Sequence, residues 1–286
     1  MSVASFVTAG SVDDVLAALA GGARPVAGGT DLVVGARSGK STLPERLVAI
    51  HRVAELGGVS VSADGLRLGA LASHEAICEN KEIQTRYSAL ADACAIVGSH
   101  ATRAQGTVGG NLMNASPAME TGGPLICLGA TVTLRSTGGE RTIDVADLFT
   151  GPGGTAAEPG ELLTFVSVPA PAARSGSAYL RLEYRRQMEI AVVGASALVT
   201  LDDDGTVTAA QVAMTALAPT IRRVPEAEAA LVGSDGGAAA IEAAGAAVAA
   251  AAAPISDVRG SADYRRAMAA VIGGRAITQA LSRARA

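Results

Sequence analysis

The sequence predicts an α+β fold in two parts, and three observations carry that prediction. Alternating apolar and polar residues flank tight Asp-Gly or Gly-Gly pairs in "VSVSADGLRLGA" (59–70), "ATVTLRSTGGERTI" (130–143) and "AVVGASALVTLDDDGTVTAAQVAMTAL" (191–217), the pattern of antiparallel hairpins. Ala-rich segments over about residues 223–232, 238–253 and 263–283 read as helices that follow the last hairpin. Between Ala170 and Ser177 the chain is rich in Pro, Ala, Ser and Gly, which marks a boundary between residues 1–172 and 173–286. The 286-residue length suits two domains, at ~100–200 residues each.

The elements follow in order. Ser11 stands as N-cap with Asp14 at N3, and Val12, Val15, Leu16 and Leu19 recur at helical spacing until Gly21-Gly22 stops the helix. Arg24 to Ala27 is a short strand running into Gly28-Gly29, and Leu47 to Ile50 is a second. Residues 1–55 therefore read as a small β/α subdomain, and 56–172 as a second one opened by the first hairpin. Ser73 caps a helix containing Ile77, and another helix runs from about Tyr87 to Val97. "ELLTFVSVP" is a strand closed by Pro169. Between them, "TVGGNLMNASPAMET" (107–121) shows neither a helical nor a strand period.

Composition excludes several classes. The hydrophobic share of 49% is largely alanine, and the most apolar run, Ala238 to Ile255, holds Glu242, Gly245 and Pro254. No membrane span is expected. The N-terminus has Asp13 and Asp14 where a secretion signal would be apolar. A net charge of −4 with interspersed signs, and aromatics at 2%, do not suit a nucleic-acid binder. Cys78, Cys94 and Cys127 are dispersed, without a C-x-x-C pair or a His at ligand spacing. No metal or iron–sulfur site is expected on this chain, and unpaired thiols suit a reducing, cytoplasmic compartment.

Two kinds of phosphate site come into question. "GARSGKS" (35–41) resembles a P-loop but has three residues between its first Gly and the Gly-Lys pair, one too few to wrap phosphates. "PVAGGTDL" (25–32) and "TVGGNLMN" (107–114) each place two glycines before hydrogen-bonding side chains. Such a pair can offer backbone N–H groups to one anion, or be two ordinary tight turns. Neither has the G-x-G-x-x-G spacing of a nicotinamide fold. His51, His74 and His100 are isolated in sequence and read as solvated or locally bonded, and Arg185-Arg186 as solvated or facing another subunit.

Four blocks carry a resemblance: "PVAGGTDL", "TVGGNLMNASPAMET", "YLRLEYRRQMEIAVVGASALV" (179–199) and "SADYRRAMAAVIGGRAI" (261–277). Together, in this order, they resemble the FAD-binding medium subunit of molybdenum hydroxylases, the family of the carbon monoxide dehydrogenase flavoprotein and the xanthine dehydrogenase flavin domain. The resemblance implies a two-subdomain FAD-binding domain of the PCMH/VAO-like type, followed by a small domain of antiparallel sheet and helices. It implies that Ala27, Gly28, Gly29, Thr30, Asp31 and Leu32 wrap the FAD pyrophosphate. Thr107, Gly109, Gly110 and Asn111 would lie at the pyrophosphate and ribityl chain, and Ser116 and Glu120 would contact the cofactor. Arg181 falls where some relatives have Lys near the flavin ring, and Glu120 and Glu189 stand where many have Asp.

By the same resemblance, [2Fe-2S] clusters sit on a small partner subunit and molybdopterin on a large one. Electrons would pass from the clusters to FAD on this chain and on to an external acceptor. No side chain is expected to act as a general base. Two alternatives stay open: a stand-alone flavin reductase on the same fold, resembling the enolpyruvyl reductase of cell-wall synthesis, and a flavin-free scaffold subunit.

Overall fold

The computed structural model describes residues 3–286. Three parallel strands form the first sheet, in the spatial order Ser5–Thr8, Arg46–Ala49, Arg24–Val26. The helix Val12–Ala20 links the two edge strands. It sets Val12, Val15, Leu16 and Leu19 against Val48, Ile50, Val53 and Leu56. The capping box forms as the spacing predicts: Asp14 N–H donates to Ser11 Oγ (3.2 Å), and Ser11 N–H donates to the Asp14 carboxylate (3.0 Å). The helix Thr30–Arg37 returns the chain to the central strand and, unlike its neighbour, buries none of its residues.

The second sheet has five antiparallel strands, in the order Val59–Val61, Gly65–Gly69, Leu162–Pro169, Thr131–Ser136, Gly139–Asp144. Both predicted hairpins are present, and Leu162–Pro169 lies in the middle and joins them. Leu66, Leu68, Val132, Leu134 and Val166 share a core with Ile77, Ile83, Tyr87, Leu90, Leu112 and Leu125 of the intervening helices. Ser73 caps the helix His74–Glu79, accepting from Ala76 N–H at 3.1 Å.

The last part is a four-stranded antiparallel sheet, Ser175–Leu182, Val193–Leu201, Val207–Thr215 and Arg222–Arg223 in sequence order. The helices Pro225–Leu231, Ala238–Ala251 and Ala262–Ala284 pack on it, at the three Ala-rich segments. Small side chains let these elements approach closely: a Cβ on Gly176 would sit 2.2 Å from Ala280 O and 2.3 Å from Ala284 N.

The strand Ser175–Leu182 begins inside the Pro/Gly-rich run, so only residues 170–174 form the loop. Ser177 is needed in the strand because it meets the helix Ser88–Ile96. Ser88 Oγ donates to Ser177 O (2.8 Å), and Ala89 N–H donates to Ser177 Oγ (3.1 Å). A two-pronged pair between Arg283 and Asp92 (2.6 and 2.9 Å) lies beside them. The last sheet is thus bonded to the helices of the second sheet.

Gly176→Ala tests the close approach. Its methyl cannot be placed without moving the terminal helix, and such overpacking costs ~1–3 kcal/mol. A lowered thermal midpoint with retained secondary structure is expected by circular dichroism; an unchanged midpoint would refute the contact.

Candidate functional site

The strand Arg24–Val26 delivers the chain to Gly28 and Gly29. Gly28 rests directly on the backbone of Gln105 and Gly106: a Cβ there would lie 1.9 Å from Gln105 O. Gly29 adopts φ 70°, a left-handed conformation that glycine tolerates without a Cβ penalty, and caps the helix Thr30–Arg37. As at any helix start without a side-chain cap, the N–H groups of Gly29, Thr30, Asp31 and Leu32, together with that of Gly28, have no hydrogen-bond partner among the described residues. They stand at a helix N-terminus, where the dipole favours negative charge. Ala27, Thr30 and Leu32 are half-buried around them, and Asp31 is exposed.

The second glycine segment is built differently. Thr107 caps a real helix, Val108–Asn114, although two glycines in seven residues give it no sequence period. Here the donors are used up. Gly110 N–H donates to Thr107 Oγ1 (3.0 Å), Asn111 N–H to Thr107 O (2.9 Å), Val108 N–H to Ala72 O (2.9 Å) and Gly109 N–H to Ala70 O (3.0 Å). A Cβ on Gly109 would meet Ala70 O at 2.7 Å and Ala70 Cβ at 2.8 Å, so this glycine is there for packing. The two segments are not a matched pair of turns. The first presents free donors, and the second is a tightly packed helix that begins three residues beyond the carbonyl under Gly28 and presents Asn111.

After the helix the chain turns at Ala115 (φ 46°), and Ser116 Oγ accepts from Ala118 N–H at 3.3 Å. Pro117 O accepts from Ala216 N–H (2.8 Å), tying this turn to the last sheet. Glu120 and Arg181 are brought together as a buried ion pair across the same junction. The Arg181 side chain is 1% exposed; Nη1 donates to Glu120 and to the carbonyl of Glu189 (3.2 Å) and Nε to Glu183 Oε2 (2.6 Å), while Nη2 lies beside the Glu183 carboxylate without a hydrogen bond. Burial raises the Glu120 carboxyl to about 7 despite the opposing pull of Arg181, and Glu183 competes for the same guanidinium. Glu189 turns its own carboxylate to Arg185 (3.5 Å) and, more distantly, Arg259 (4.0 Å).

Three residues to which the sequence gives no role in the site border this region. Thr121 is fully buried and donates its hydroxyl to Asn111 Oδ1 at 2.6 Å. Arg103 is buried with no carboxylate partner among the described residues; it bonds Val97 O (3.2 Å) and His100 Nδ1 (3.0 Å). His74 is buried with Nδ1 3.6 Å from Cys94 Sγ, and burial, with help from Arg103, lowers it to about 4. Arg103 lies in no recognisable local pattern; Thr121 ends the 107–121 segment and His74 is one of three isolated histidines, and only contact in space shows what either bonds.

The P-loop-like run closes the helix Thr30–Arg37 instead of cradling phosphate. Gly35 O accepts from Lys40 N–H (3.0 Å) and Ser41 N–H (3.2 Å), at the helix end that disfavours anions. Among the described residues there is no group of three or more His, Cys, Asp or Glu that could hold a metal. Nor is any helix long and apolar enough to cross a membrane.

Comparison with known proteins adds to this geometry. Residues 2–171 match the family model described as the FAD binding domain in molybdopterin dehydrogenase. Residues 178–280 match that of the CO dehydrogenase flavoprotein C-terminal domain. The 6-hydroxypseudooxynicotine dehydrogenase complex subunit alpha of Paenarthrobacter nicotinovorans is 34% identical, over 98% of this chain and 95% of that one. The carbon monoxide dehydrogenase medium chain of Afipia carboxidovorans is 32% identical, over 92% of this chain and 90% of that one. A solved structure of Cu,Mo-CO dehydrogenase in its cyanide-inactivated form superposes with a TM-score of 0.93 at 30% identity, covering 99% of this chain and 100% of that chain.

The buried acid and the buried imidazole have opposite effects on stability. Glu120, raised from 4.5 to about 7, favours folding at low pH and loses that contribution as pH rises through about 7. His74, lowered from 6.5 to about 4, favours folding above 6.5 and loses that contribution as pH falls through about 4. Between the two ordinary values the slopes oppose each other. Glu120→Gln is expected to leave the His74 slope alone, so that denaturant stability rises more steeply from pH 4.5 to 6.5. An unaltered slope would show that Glu120 does not take up a proton in that range.

Proposed function

The chain belongs to the family of FAD-binding subunits of molybdopterin dehydrogenases, and from that membership we propose that it is the flavin-carrying, electron-transfer subunit of a heteromeric molybdenum hydroxylase. Its partners on this reading are a small subunit with two [2Fe-2S] clusters and a large molybdopterin subunit. Bound FAD supplies the redox chemistry that lets electrons from the clusters reach an external acceptor. The free thiols Cys78, Cys94 and Cys127 suit a cytoplasmic setting.

The observation that carries this reading is the row of five unpartnered N–H groups, Gly28 to Leu32, at a helix start. A doubly charged pyrophosphate matches them, and each charge-assisted bond contributes ~1.5–3 kcal/mol. A scaffold without cofactor would leave these donors to solvent. In this reading the Thr30 hydroxyl, Ala27 and Leu32 line the cradle beside the donors, and Asp31 stands at its solvent edge. Thr107, Gly109 and Gly110 shape the neighbouring helix so that Asn111 and then Ser116 face the cofactor. Glu120 and Arg181 act on it by holding residues 1–172, with subdomains of about 1–55 and 56–172, against 173–286. No side chain is required as a general base.

The test is an absorption spectrum of the native complex, with the released cofactor identified by mass. Flavin with iron–sulfur absorbance and two co-purifying chains supports the reading. Flavin on a lone chain that turns over with a nicotinamide would replace it with a stand-alone reductase, and a colourless complex would leave a scaffold.

The glycines give a second check. At Gly29 a Cβ meets only Val26 Cγ1 at 3.6 Å, so Gly29→Ala projects its methyl into open space, with the backbone strain costing ~1–2 kcal/mol. This variant is expected to fold and to bind FAD at least ~10-fold more weakly, the loss of about one charge-assisted bond. Gly109→Val is expected to lose stability first, because its side chain enters Ala70. An unchanged FAD dissociation constant in Gly29→Ala would remove the cradle from this loop.

A further inference from the structure

The start of the helix Gly122–Cys127 carries a side chain to which the cofactor reading gives no role. Thr121 is wholly buried, and its hydroxyl lies 2.6 Å from Asn111 Oδ1. Among the described residues this hydroxyl has no other hydrogen-bond partner. A buried O–H left without an acceptor is costly, so the hydroxyl donates and the amide must turn its oxygen inward. The Asn111 NH2 is then directed away from Thr121, and among the described residues no protein acceptor meets it.

The position of Thr121 is itself fixed. Its carbonyl accepts from Leu125 N–H at 3.1 Å, and the preceding residue, Glu120, is clamped to buried Arg181 of the last sheet. Asn111 in turn sits one helical turn beyond Thr107, on the helix that starts beside the carbonyl under Gly28.

We propose that Thr121 is a positioning residue that locks Asn111 as a hydrogen-bond donor, so that the cofactor atom Asn111 recognises is an acceptor, such as a phosphate or ring-carbonyl oxygen. The inference rests on reading residues 107–121 as part of the FAD cradle. It goes further in assigning the polarity of one contact and the residue that enforces it. Arg181 and Glu120 take part by holding Thr121 in place.

The experiment is a fluorescence titration of FAD into the deflavinated complex. Thr121→Val keeps the branched shape and removes the hydroxyl, and should weaken FAD binding by about tenfold, the loss of one oriented bond. Thr121→Ser should restore it to within about threefold. Asn111→Asp keeps an oxygen for Thr121 but replaces the outward donor by an acceptor, and should weaken binding at least as much as Asn111→Ala. Adding Thr121→Val to Asn111→Ala should cost nothing more, because the two act as one unit.

Wild-type affinity in Thr121→Val alongside weak binding in Asn111→Ala would overturn the lock and leave the cradle standing. Tolerance of Asn111→Asp would overturn the donor polarity. Wild-type affinity in Asn111→Ala would remove the residue from the cradle altogether. Should Thr121→Val fail to fold, tolerance of Asn111→Asp at this half-buried position would still overturn the donor polarity, and Asn111→Ala, which adds no charge, measures the loss of the donor.

Discussion

The site depends on one close approach, that of the Gly28 backbone to the carbonyl of Gln105. Any side chain at Gly28 would overlap that carbonyl, so the approach is open to glycine alone. Contact at this point sets the small parallel sheet beside the helical layer of the five-stranded sheet. It also sets the direction in which the Thr30–Arg37 helix begins, and with it the direction of five free N–H groups. A helix that buries no residue cannot orient itself by packing. It is oriented by its start, and Gly28 and Gly29 are that start.

The partner segment shows what a helix of low propensity needs in order to form. Val108–Asn114 has two glycines in its first turn and no apolar period. It stands because Thr107 caps it and because Val108 and Gly109 donate to Ala72 and Ala70 across the neighbouring turn. Those bonds are non-local, which is why residues 107–121 look structureless in sequence. The hairpins at 59–70, 130–143 and 191–217 and the Ala-rich helices are legible because their signals lie within one element: a turn pair between alternating runs, or an apolar stripe. The Ser5–Thr8 strand carries no such signal; it is short, exposed throughout and specified only by pairing with Arg46–Ala49.

The candidate site was legible in a similarly uneven way. Glycine pairs followed by Thr or Asn locate both segments, and family resemblance extends this to Ser116, Glu120 and Arg181. Sequence does not reveal that one segment leaves its donors free while the other consumes them. That difference follows from Ala70 and Ala72, some forty residues earlier in the chain than Gly109 and Val108. Nor does it reveal Thr121, whose role depends on a buried hydroxyl having a single partner.

Arg181 shows why residue type must be read together with its neighbours. From sequence it is a cation placed where a reduced flavin would welcome one. In the fold its planar fork meets Glu120 and Glu183 and a carbonyl, an arrangement that suits a guanidinium better than the point charge of a lysine. Two carboxylates surround one cation, so the cluster carries no net positive charge to offer, and burial keeps a proton near Glu120. On the proposed reading, holding the charged phosphates of the cofactor falls instead to oriented dipoles: the free N–H groups at the start of the Thr30–Arg37 helix and the amide of Asn111. These donors need no counter-charge of their own and are already ordered by the fold, so holding an anion costs little further reorganisation. The ion cluster acts at one remove, by holding Glu120 and with it the neighbouring Thr121, which bonds Asn111.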